Sequence, residues 1–206
     1  MTFPERKYGS AGELGDDYFG QLTSAAASVD RAALNRAADV LGRVYAAGGT
    51  VFACGNGGSA AISNHLHCDH LKGIQTDTAV RPKVVSLSAN LETITAIAND
   101  ISYDEVFVYQ LRTLGVAGDA LITISSSGDS ENVVRACQWA KENGLATVAM
   151  TGFSGGRTAE IADINLHAAG DNYGVVEDIH QSLMHILAQY LRQANMDEAL
   201  IAERKF

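Results

Sequence analysis

The chain has 206 residues, with 24 acidic against 15 basic side chains and a formal net charge of −9. That balance excludes a nucleic-acid surface, which needs Lys and Arg clustered against the phosphate backbone. Apolar residues at 47% and charged residues at 19% suit one globular domain with a buried core.

The N-terminal stretch MTFPERKYGSAGELGDDYF has no apolar signal-peptide core. No run approaches the roughly 20 apolar residues that cross a bilayer. Cys54, Cys68 and Cys137 are odd in number and form no C-x-x-C pair, which fits reduced thiols. A cytoplasmic protein with no membrane and no nucleic-acid partner is the expectation.

Residues 12–47 read as one or two amphipathic N-terminal helices, ended by Gly48-Gly49. An α/β core is expected over residues 50–170. Short apolar runs at 51–54, 84–87, 120–124, 147–150 and 164–167 alternate with segments of helical length at 59–72, 90–99, 104–114 and 130–143. Continuously apolar strands are buried on both faces, so the alternation predicts a doubly wound, mainly parallel five-stranded sheet flanked by helices. A last helix is expected over 174–205. No repeat or linker divides the chain, so all 206 residues are read as a single domain.

In such sheets ligands bind at the carboxyl ends of the strands. The first strand runs into Gly55-Asn56-Gly57-Gly58-Ser59 and a helix, where free N–H groups favour an anion. A glycine turn between strand and helix is also a common structural necessity. The third strand runs into Ser125-Ser126-Ser127-Gly128-Asp129-Ser130. One serine would serve as a helix cap, but four hydroxyls exceed what capping requires and can wrap a phosphate with neutral donors. Two clusters of ligand-type side chains remain. His65 and Asp69, four apart, share a helix face and suit a divalent metal or an acid/base pair. Glu177, Gln181 and His185 recur at helical spacing near the C-terminus.

The motifs GNGGSAA before a His-bearing helix, Asn99-Asp100, SSSGDS, Met150-Thr151-Gly152 with Gly155-Gly156, and the late E-D-I-H-x-x-x-x-H together resemble the phosphoheptose isomerases of the sugar isomerase (SIS) fold. The resemblance covers residues 12–193. It implies a homotetramer with sites at subunit interfaces that interconverts sedoheptulose 7-phosphate and D-glycero-D-manno-heptose 7-phosphate through a metal-assisted enediol. Substrate binding falls on Asn56, Gly57, Gly58, Ser59, Asn99, Asp100, Ser125, Ser126, Ser127 and Ser130. A divalent metal, zinc by the family's habit, falls to His65, Asp69, Glu177 and His185, and Asp69 and His185 are also the acid/base candidates. Asp69 stands where the family usually has glutamate and Glu177 where it usually has glutamine. The harder oxygen ligands widen the choice of ion beyond zinc. By the same resemblance the helix after the first loop is one residue longer than the family's before Lys72-Gly73. Two rivals stand beside this reading: a non-catalytic SIS adaptor of the type that associates with the replication initiator DnaA, and an isomerase of another phosphosugar.

Overall fold

The computed structural model describes residues 2–206. Two helices open it: α1 (Ala11–Ser28) and α2 (Arg31–Ala46). Ser10 Oγ accepts from the Glu13 N–H while the Glu13 carboxylate accepts from Gly9, and Asp30 caps α2 through Ala32. Caps of this kind satisfy N–H groups that the first turn of a helix leaves free. Gly48, at φ 72°, ends the pair in the left-handed conformation that suits glycine.

Five parallel strands follow: β1 (Thr50–Cys54), β2 (Lys83–Ser86), β3 (Ala120–Ser125), β4 (Ala146–Thr151) and β5 (Ile164–His167), in the spatial order β2-β1-β3-β4-β5. The five apolar runs of the sequence are these strands. Alternate residues serve two cores. Val51, Ile122, Ile124 and Met150 pack with α2 and with α8 (Tyr173–Gln193). Phe52, Cys54, Leu121 and, just past β2, Leu87 pack on the other face, covered by α4 (Leu91–Asp100), α5 (Val108–Leu114) and α6 (Glu131–Glu142). The chain leaves β1 toward β2 and returns to β3 on its other side. The crevice between the carboxyl ends of β1 and β3 is therefore the switch point.

The expected helices differ from the observed ones in four places. The segment 59–72 divides into α3 (Gly58–Cys68) and a π-turn (Asp69–Ile74). A π-turn is wider than an α-turn and takes one more residue to close. The turn drives the His70 ring into the core, where Nδ1 lies 2.7 Å from Tyr45 Oη and burial pulls the imidazole down to a pKa of about 3. Segment 104–114 begins as a 3₁₀ turn (Tyr103–Glu105) before α5. A short helix, α7 (Gly156–Ile161), follows β4 without having been expected. The last helix stops at Gln193 rather than near residue 205, and a turn leads to α9 (Glu198–Ile201), capped by Asp197. No helix among the described residues is long and apolar enough to cross a membrane.

Candidate active site

β1 and β3 deliver the two polar loops to one small cavity of about 140 Å³. Asn56 and Ser59 line it from the first loop and Ser125, Ser126, Ser127 and Ser130 from the second. No Lys or Arg lines it. Ser130 stands at the N-cap position of α6 yet makes no capping hydrogen bond, which leaves its hydroxyl available. Ser126 Oγ is buried without a partner. Buried hydroxyls are almost always bonded, so an unpaired one at a cavity wall calls for a ligand or an ordered water.

Three further residues shape this cavity and escaped the sequence reading. Asn132 forms a reciprocal amide pair with Asn56 at 2.9 and 3.0 Å, and Tyr103 donates to Asn56 Oδ1 at 2.9 Å. Tyr173 forms part of the wall. Tyr103 and Asn132 lie 47 and 76 residues from Asn56, and nothing local in the sequence marks either.

His65 and Asp69 on the α3 side meet His185 from α8. His65 Nε2 lies 3.3 Å from Asp69 Oδ1, and His185 Nε2 lies 3.5 Å from Asp69 Oδ2. One ligand atom from each of the three fits within 4.8 Å of the others. Gln181 completes the group, its Nε2 lying 3.0 Å from both His65 Nδ1 and His185 Nε2. Two imidazoles and a carboxylate converging in this way suit a divalent cation. Asp69 and His185 also border a larger cavity of about 460 Å³, so the cluster is open to a small molecule.

Glu177, grouped with these ligands from the sequence, is not brought to them. Its carboxylate lies against Gly58, so that a Cβ there would be 2.3 Å from Glu177 Oε2, and it lines the serine cavity. Burial, with Asp178 beside it, raises its pKa. The residue that joins the histidines is Gln181, one helical turn further on. The spacing of four was visible in the sequence, but not which member of the series would face α3. Asn99 and Asp100 are also not brought to the cavity. They are exposed at the end of α4, Asn99 donating to Asp100 at 2.8 Å.

The SIS domain family model matches residues 17–152. A phosphoheptose isomerase of Nitratidesulfovibrio vulgaris is 41% identical over 134 residues, covering 65% of this chain and 64% of that protein. One from Rhodospirillum rubrum is 34% identical over 162 residues, covering 79% of this chain and 86% of its own length. The structure of a phosphoheptose isomerase from Neisseria gonorrhoeae superposes with a TM-score of 0.81 at 30% identity, covering 88% of this chain and 98% of that one.

Proposed function

This chain belongs to the SIS-domain phosphoheptose isomerases, a family of sugar-phosphate aldose–ketose isomerases, and from that membership we propose that it interconverts sedoheptulose 7-phosphate and D-glycero-D-manno-heptose 7-phosphate. The observation that carries this reading is the course of α8. Glu177 touches the serine cavity, and His185, eight residues on, closes the histidine cluster. Eight helical residues advance about 12 Å. A sugar phosphate of several carbons, anchored by its phosphate at the serines, can lay its carbonyl end along that span.

In this reading Ser59, Ser125, Ser126, Ser127 and Ser130 hold the phosphate, and Asn56, braced by Tyr103 and Asn132, orients the adjoining carbon. Asp69 takes the proton from the carbon bearing the hydroxyl and returns it to its neighbour. His185 moves the proton on oxygen through a nitrogen not engaged by an ion, because a metal-bound lone pair accepts no proton, and the same holds for the Asp69 oxygen that acts as base. His65, Asp69 and His185 fit a divalent metal, and Gln181, with its amide turned over, would add a carbonyl oxygen as fourth ligand. Bound there, the ion would polarise the sugar's carbonyl and hydroxyl oxygens and stabilise the enediolate. Zinc is the ion we assign to two imidazoles, one carboxylate and one amide oxygen.

The test is product analysis with sedoheptulose 7-phosphate before and after strong chelation. We expect close to one divalent ion per chain, turnover lost on chelation, and turnover restored by zinc. His65→Ala should lose the ion, since a site of this size tolerates the loss of an imidazole poorly. Full turnover in metal-free protein would remove the metal from the reading. No turnover of this heptose, with brisk turnover of another sugar phosphate, would replace the substrate.

Assembly completes the reading. An apolar groove of about 620 Å³ runs between α1, α2 and α8, lined by Leu22, Leu34, Ile179, Leu183 and Ile186, with Phe19 66% exposed nearby. Apolar surface of this kind marks an interface, and we assign it to a cytoplasmic homotetramer of dihedral symmetry. Asn99 and Asp100, exposed at the end of α4 next to Ile101, then act on the site of a neighbouring copy. Light scattering at micromolar concentration should give four times the chain mass. A monomer there would sink both the assembly and the shared site.

A further inference from the structure

An anion-binding loop must show its N–H groups and hydroxyls to the ligand and turn its carbonyl oxygens away. In the loop Ser125–Ser130 most of the carbonyls are held by donors, and three of those carbonyls are held by three residues of one segment. Gly152 N–H donates to Ser126 O at 3.0 Å. Thr158 gives both its N–H and its Oγ1 to Gly128 O, at 2.9 and 3.0 Å. Arg157 Nη2 donates to Asp129 O at 3.0 Å. Arg157 also holds the Asp129 carboxylate through Nε and reaches Glu131 Oε2 at 2.8 Å.

The two backbones are in direct contact. A Cβ on Gly128, at φ 63°, would lie 1.9 Å from Gly155 O, and one on Gly156, at φ 57°, would lie 2.4 Å from Ser127 O. Side chains at either position would force the loops apart. Thr158 is fully buried, so its second bond to Gly128 O is made away from water. The guanidinium of Arg157 serves three acceptors at once, which a lysine ammonium on its flexible stem cannot reproduce. The glycine pair after β4 was conspicuous in the sequence, and phosphate contact leaves it without a task.

We propose that the segment Gly152–Thr158 is a clamp that fixes the serine loop in its anion-binding conformation, with Arg157 and Thr158 as positioning residues. The inference rests on the serine loop's being the phosphate site, and it adds what holds that loop in shape. Neither residue lines the cavity, so each acts on the phosphate through the loop.

Three variants test it: Arg157→Met, Arg157→Lys and Thr158→Val, the last keeping the shape of the side chain and losing its donor. Inorganic phosphate is the probe, titrated by calorimetry at fixed ionic strength, alongside steady-state turnover and thermal unfolding. We expect Kd for phosphate and KM for the sugar phosphate to rise about tenfold in Arg157→Met and several-fold in Thr158→Val, as loss of charge-assisted and buried bonds implies. kcat should stay within about twofold and Tm within a few degrees. Arg157→Lys keeps the charge but not the fork, so it should resemble Arg157→Met. Wild-type affinity in both Arg157→Lys and Thr158→Val would overturn the clamp and leave only a distant charge effect. Loss of Tm with unchanged Kd would overturn it in favour of a structural role alone. If the wild-type protein binds no phosphate, the loop reading fails and the clamp fails with it. Binding by wild type that all three variants match sinks the clamp and spares the loop.

Discussion

Asp69→Asn is expected to cut turnover by about 10²–10⁴-fold, the usual contribution of a positioned general base, while affinity for inorganic phosphate stays within about twofold. The substitution preserves the shape of the side chain and its place between His65 and His185. What it removes is a carboxylate able to accept a proton from carbon. Phosphate binding should be spared because the serine cavity is lined from other loops and does not include Asp69. Steady-state kinetics and phosphate calorimetry on one preparation separate the two effects. Turnover within tenfold of wild type would show that another group takes the proton. A parallel fall in phosphate affinity would show that the two halves of the site are not independent. Metal content must be measured in the same sample, since the asparagine is also a weaker ligand.

The position of Asp69 shows where sequence reasoning stopped. That five apolar runs would be parallel strands, with polar loops at the carboxyl ends of the first and third, followed from short-range patterns that burial and chain direction enforce. The serine loop was legible because its hydroxyls exceed any capping need. The His65–Asp69 pair was legible because residues four apart on a helix must be neighbours. Whether Glu177 or Gln181 would join the pair was not legible. Both lie on the same side of α8, and the choice depends on the height at which α8 crosses α3, a tertiary quantity. The π-turn that begins at Asp69 was not legible, because its buried anchor is non-local: His70 and Tyr45 are 25 residues apart. The clamp on the serine loop was hidden for the same reason. Its glycines stand out in the sequence, but the backbone they approach belongs to a different strand end.

The double substitution Ser127→Ala, Ser130→Ala is expected to weaken phosphate binding by roughly 10²–10⁴-fold. Hydrogen bonds to a charged partner contribute about 1.5–3 kcal/mol each, so two together amount to about 3–6 kcal/mol. The full effect is expected because nothing nearby can substitute for the lost donors. No Lys or Arg lines the cavity, and the one acidic wall residue, Glu177, carries the wrong sign. The folded state should lose little. Ser130 does not cap α6, and Ser127 Oγ accepts only one local N–H, from Asp129 at 3.3 Å. Calorimetry with inorganic phosphate reads the affinity and thermal unfolding checks the fold. Turnover at saturating sugar phosphate reads whether the carbonyl end still reaches Asp69 and His185. If the phosphate were seated elsewhere, in the larger cavity beside Lys72 for instance, the double variant would bind as wild type does. If the serines are its seat, KM should rise in step with Kd. The histidine cluster, about 12 Å further along α8, should keep working on whatever substrate still arrives.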